Sequence, residues 1–125
     1  MTAVLDSGAL TAIDRRDRKV GAMLRVLQRE AEPVRTSAGA VAQVWRAGRR
    51  QVNLARTLPG LDVAVLDELA AKKVGELLGS SGTSDLVDAH VALLVYPGGQ
   101  ILTSDAPDIK ALLRTRRVKA TVIHV

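Results

Sequence analysis

Thr83-Ser-Asp-Leu-Val-Asp-Ala-His-Val-Ala-Leu-Leu-Val-Tyr-Pro-Gly-Gly-Gln-Ile-Leu-Thr-Ser-Asp105 holds a helix, a strand and three acids. From Leu86 to Val95 every residue is apolar except Asp88 and His90, a run that predicts a buried helix carrying a carboxylate. A buried unpaired charge is so unfavourable that the group either neutralises or keeps a cation, so Asp88 needs a reason. Asp85, preceded by Thr83 and Ser84, is a good N-cap. It places Asp88 in the first turn, where the helix dipole favours negative charge. Pro97-Gly98-Gly99 stops the helix, Gln100-Ile-Leu-Thr103 reads as a short buried strand, and Ser104-Asp105 stands at its carboxyl end. The start of the chain repeats the arrangement: Thr2-Ala-Val-Leu5 reads as a strand, and Asp6 follows it at once.

Outward from these two units the pattern alternates. A short helix is expected over Ala9 to Ile13, a charged loop over residues 14–19, and an amphipathic helix from Val20 to about Ala31. Val34-Arg35-Thr36 is a weak strand. Ser37 opens a helix running to about Arg46 with Val41, Val44 and Trp45 on its apolar face, and Val52 to Leu58 forms another. Leu61 to Val65 is a strand by its β-branched content. A helix follows from Asp67 to Gly79 with Leu69, Ala70, Val74, Leu77 and Leu78 on one side. Pro107 opens the last helix at an allowed early position, and Ala120 to Val125 is the closing strand. Strands alternating with helices predict a three-layer α/β/α domain with a mainly parallel sheet of four or five strands. The 125 residues are enough for one domain spanning 1–125. In such sheets the functional crevice lies beyond the carboxyl ends of the strands, where Asp6 and Asp105 stand.

Lys and Arg number 18 against 13 Asp and Glu, a formal net charge of +5. If Asp6, Asp85, Asp88 and Asp105 cluster, the remainder is more basic still: an acidic spot on a basic body. That suits a polyanion held by its backbone while a metal acts on it. No Cys is present, which excludes disulfides and thiolate sites and fits a cytoplasmic protein. No segment approaches the roughly 20 apolar residues of a membrane span, and Asp6 interrupts any signal-type apolar core. With no Phe, one Tyr and one Trp, nucleic acid is not gripped by rows of stacked aromatics. Mg²⁺ or Mn²⁺ prefers oxygen ligands and needs only one or two carboxylates beside a phosphate. Three converging Asp suffice to polarise a phosphodiester and activate a water.

Leu5-Asp6-Ser7 after the first strand, Asp85-Leu-Val-Asp88-Ala-His90 and Leu102-Thr-Ser-Asp105-x-x-Asp108 together resemble the PIN-domain signature. The likeness is greatest to VapC-type toxins of bacterial toxin–antitoxin pairs, and it covers nearly the whole chain. It implies a PIN-like fold and a Mg²⁺- or Mn²⁺-dependent endoribonuclease acting on RNA. It further implies a homodimer or toxin–antitoxin hetero-oligomer, held inactive by a cognate VapB-like antitoxin that covers the acidic pocket. Carried over by position, Asp6, Asp88 and Asp105 are the metal ligands, with Asp85 an added acid at the rim and Thr103 or Ser104 a polar neighbour. One position departs from the pattern. Where the family has a Glu in the helix after the second strand, this chain offers Gln43, a neutral and weaker ligand for a hard cation. The alternative function is therefore a weak or inactive PIN-like module that acts mainly by binding antitoxin or RNA.

Several residues have plainer readings. Arg15, Arg16, Arg46, Arg49 and Arg50, with Arg18 and Lys19, are candidates for tracking RNA phosphates, although such residues commonly form a solvated face. Asp108 reads as a first-turn helix acid outside the site. His90, two residues from Asp88, faces another side of the helix and reads as a satisfied core histidine; with His124 the only other His, a zinc site is disfavoured. No Gly-rich phosphate cradle is present. A receiver-like or aspartyl phosphatase-like domain is disfavoured, since the latter wants an Asp two residues after Asp6, where Gly8 stands.

Overall fold

In the computed structural model, which describes residues 2–125, two short strands run parallel at the centre of the sheet. These are β1 (Ala3–Leu5) and β4 (Gln100–Thr103), with Leu5 beside Leu102. β2 (Val34–Ser37) and β3 (Asp62–Ala64) extend the sheet on one side and β5 (Thr121–His124) on the other. The result is five parallel strands in the order β3-β2-β1-β4-β5. Ala3, Val4, Leu5, Ile101 and Leu102 are at most 1% exposed, an unbroken apolar run because helices cover both faces. The strand order reverses between β1 and β4, so a crevice opens beyond their carboxyl ends.

One helical layer consists of α1 (Ser7–Asp14), α2 (Arg18–Arg29), α3 (Ala38–Val44) and α4 (Val52–Thr57), of which α1 touches the other three. The other consists of α5 (Glu68–Ser81), α6 (Leu86–Leu94) and α7 (Ala106–Arg116), packed on one another. This is the three-layer α/β/α arrangement expected from the sequence. Spacing explains each buried face: Val20, Leu24 and Leu27 in α2, and Ile109, Leu112 and Leu113 in α7. Fully burying a Leu or Ile such as Leu10, Leu54, Ile109 or Leu112 contributes roughly 1.5–3 kcal/mol each. Capping sets the boundaries. Asp17 caps α2 through Val20 N, Asp67 caps α5 through Ala70 N, and Gly82 ends α5 with φ +72°, a conformation that Gly adopts without strain. The Arg116 guanidinium, near the end of α7, donates to Ala92 O at 2.5 Å and Val95 O at 3.2 Å and so closes the C-terminus of α6.

Some expectations shift. The stretch expected as a charged loop is helical at both ends: α1 runs through Asp14 and α2 begins at Arg18 because Asp17 caps it. α2 ends at Arg29, before Ala31, which takes φ +54°. α5 continues two residues past Gly79 to the Gly82 cap. α3 stops at Val44, because Trp45 adopts an extended backbone; its indole is 38% exposed and Val44 is only half-buried. Leu69 is 63% exposed and not on the buried face of α5.

Gly8, second residue of α1, lies against β4's exit. A Cβ there would overlap Ser104 Oγ and Cβ. Gly8→Ala is expected to lower stability by about 1–3 kcal/mol, the usual effect of overpacking. A urea melt measures it, and Ser104→Gly in the same chain is expected to restore most of the loss.

Candidate metal centre

Asp6 leaves β1 at the switch point, 1% exposed. Its backbone N–H donates to Leu102 O at 3.1 Å, continuing the ladder to β4. One side-chain oxygen caps α1 by accepting from Ala9 N at 2.9 Å. The other accepts from Thr103 Oγ1 at 2.5 Å and from Ser104 N at 3.1 Å. Thr103 Oγ1 in turn accepts from Asp105 N at 2.8 Å. Asp6 therefore ties the ends of β1 and β4 together and fixes the backbone that carries Asp105.

Asp85 is the N-cap of α6, accepting from Asp88 N at 2.9 Å, as the sequence predicts. Asp105 precedes α7 in the N-cap position, yet its side chain makes no capping hydrogen bond. A plain capping role does not account for it. The carboxylate oxygens of Asp88, Asp105 and Asp108 lie within 4.8 Å of one another. Asp88 is 7% exposed, and its Oδ2 is buried with no hydrogen-bond partner among the described residues. Its pKa is pushed up from 3.8 to about 8. Burial is the largest cause, followed by the adjacent Asp105 carboxyl and then by the negative charges of Asp85, Asp105 and Asp6. Asp108 is raised too, first by the charge of Asp105. The N-termini of α1, α6 and α7 all begin at these acids, and their dipoles offset part of the repulsion.

Of the residues singled out in the sequence, Asp88 and Asp105 meet directly and Asp85 sits at the exposed rim, whereas Asp6 is not one of the carboxylates that come together: both its oxygens are hydrogen-bonded and only its charge reaches Asp88. Asp108 joins the group, contrary to its expected place outside the site. The signal for it was Asp105-x-x-Asp108, since residues three apart at a helix start share a side. Gln43 is exposed near the end of α3 and lines a groove of about 520 Å³ with Ser7, Gly8, Thr11, Arg15 and Ser104. None of the acids lines that groove; Ser104 connects the two places in sequence. Arg46 donates to Trp45 O at 2.6 Å and Ala42 O at 3.2 Å, closing α3, while Arg16, Arg49 and Arg50 are exposed. His90 is a satisfied core residue, with Nδ1 2.5 Å from Ser37 Oγ, and burial lowers its pKa.

The donor set is all oxygen. Among the described residues no Lys or Arg forms an ion pair with Asp88, Asp105 or Asp108. Hard divalent cations such as Mg²⁺ and Mn²⁺ fit that set, and the orphaned Asp88 oxygen fits it as well.

A parallel five-stranded α/β/α sheet with acids gathered beyond its two central strands is a PIN-like fold. No family model and no curated protein matches the sequence. Among solved structures, a chain of VapBC2 from Rickettsia felis, crystallised bound to a DNA fragment from the VapBC2 promoter, superposes with a TM-score of 0.69. The match covers 100% of this chain and 99% of that one at 15% identity, a likeness of fold. No helix among the described residues is long and apolar enough to cross a membrane.

Proposed function

We propose that this chain is a Mg²⁺- or Mn²⁺-dependent endoribonuclease toxin, neutralised by a VapB-like antitoxin in a toxin–antitoxin assembly of the cytoplasm. The observation that carries the reading is Asp88: a buried acid, one oxygen unpartnered, facing Asp105 where the strand order reverses. Asp88 and Asp105 would hold the cation. Asp6 would add its charge and keep Asp105 in place through Thr103, and Asp85 would present a further acid at the rim. The bound ion would lower the pKa of a water and offset charge on the leaving oxygen. Arg15, which lines the groove beside Ser104, and the exposed Arg16, Arg49 and Arg50 would receive RNA phosphates; Arg46 is held more closely to α3. The VapB-like partner is inferred from the sequence resemblance and from the fold shared with VapBC2. A homodimer within the assembly follows from the resemblance alone.

Gln43 favours a second reading, a module that binds antitoxin or RNA with little cleavage, because no carboxylate stands at that position. Cleavage of labelled RNA with Mn²⁺ separates the two. The enzyme reading expects cutting by this chain, loss of cutting in Asp6→Asn, and faster cutting in Gln43→Glu. If neither this chain nor Gln43→Glu cuts under Mn²⁺ or Mg²⁺, the binding module stands instead.

A further inference from the structure

We propose that Trp45 is a stacking platform for one unpaired base of a bound RNA strand. This rests on reading the chain as acting on RNA, and it adds a nucleotide site away from the acids. Trp45 is the one Trp of the sequence, and it is 38% exposed. The backbone leaves α3 there in an extended conformation, so helical spacing no longer decides where the ring lies. The loop behind it is held firmly. Gln51, 9% exposed, accepts from Arg46 N at 2.7 Å and Ala47 N at 3.1 Å, and its amide donates to Val44 O at 2.9 Å and Asp14 Oδ2 at 3.5 Å. Gly48 lies against the indole: a Cβ there would stand 3.1 Å from Cη2 and 3.2 Å from Cζ2. A ring already ordered in solvent loses little freedom when a base is laid on it.

Charge selects the occupant. Residues 44–52 contain three Arg and no acid, and neither Arg49 nor Arg50 pairs with an acid among the described residues. Such a loop draws a polyanion through its phosphates. Position agrees with charge. Gln43 and Val44, just before Trp45 in the chain, line the groove of about 520 Å³ that also holds Arg15 and Ser104, and Ser104 precedes Asp105 of the acid cluster. A strand with one phosphate at the acids can follow this groove and lay a base on the indole. Stacking tolerates any base, because each has a π-face, so the platform fixes the reach of the strand and not its sequence.

The emission of a lone Trp reports on the ring directly. A short single-stranded RNA of mixed sequence, titrated into the full chain in EDTA and again in Ca²⁺, is expected to quench that emission. The same sequence as a duplex, its bases already stacked, is expected to leave it unchanged. By anisotropy of a labelled single strand, Trp45→Leu should bind about tenfold more weakly while Trp45→Phe keeps most of the affinity, since a ring stacks and an aliphatic side chain does not. The dependence of affinity on salt should be unchanged in Trp45→Leu and shallower in Arg49→Gln. These results together support the proposal. Parent-like binding by Trp45→Leu, or equal quenching by single strand and duplex, overturns it and leaves the RNA reading intact; the exposed indole then belongs to a protein contact. Absence of RNA binding by the parent overturns both.

Discussion

Asp88→Asn is expected to slow RNA cleavage severely and, in the same molecule, to make the metal-free fold more stable at neutral pH. The two effects have one origin. Asp88 is nearly buried, surrounded by Asp6, Asp85 and Asp105, and its carboxyl is pushed up to about 8, so at pH 7 folding has to draw a proton onto it, which opposes folding. An amide of the same shape has no charge to bury. Since one pKa unit corresponds to about 1.4 kcal/mol and pH 7 lies about three units above the ordinary value of 3.8, the gain should be on the order of a few kcal/mol, read from urea melts without metal. In the proposed cation site that carboxylate is the ion's buried ligand. Metal stabilisation of a transition state is worth several kcal/mol, so the Mn²⁺-dependent initial rate should fall on the order of 10²–10³-fold. A variant that lost both stability and activity would show instead that Asp88 is a structural acid.

The second large effect is a pH dependence whose sign depends on metal. The folded-state pKa of Asp88, about 8, lies above its ordinary value of 3.8, so the folded form binds the proton more tightly than the unfolded chain does. Between those two values the unfolded state holds fewer protons, and stability falls as pH rises. The contribution is fully present below about pH 4 and is gone above about pH 8. Melting temperatures of metal-free protein across that window should therefore decline from this group. Mn²⁺ and the proton compete for the same oxygens, so apparent Mn²⁺ affinity should rise about tenfold per pH unit below the pKa of Asp88. Saturating Mn²⁺ should flatten or reverse the decline. A metal-free melting temperature that climbs steadily from pH 4 to 8, with no response to Mn²⁺, would contradict the buried-acid account.

Much of the centre of the molecule was legible in the sequence because the local signals agree with one another. α6 is an apolar run with a capping Asp at its start and Pro-Gly-Gly after it, and the helix Leu86–Leu94 with Asp85 as N-cap is what folds. β4 occupies Gln100–Thr103 as its flanking Gly and Ser-Asp predict. The edges were harder. Val63 at 38% and Val65 at 67% exposure look like core residues by composition, yet they lie in and just after an edge strand. Trp45 and Leu69 follow helical spacing, but spacing gives the angle between residues and does not say which direction the sheet lies in. Asp108 was missed for a different reason. A first-turn acid has a sufficient local explanation in the dipole, and only the approach of α6, 20 residues away from it in the chain at Asp88, reveals the neighbours. Gln43 shows a departure in chemistry that sequence exposes at once, while its groove beside Ser104 needed the fold.

Arg116 fastens the far ends of α6 and α7 to each other through Ala92 O and Val95 O, while the acids repel at the near ends. The two helices are thus arranged like the arms of tweezers, joined at the guanidinium and pushed open at the tips by Asp88, Asp105 and Asp108. The joint lies near the other end of an 11-residue helix from the acids. Arg116→Ala is therefore expected to loosen the contact between the two helices without touching any acid.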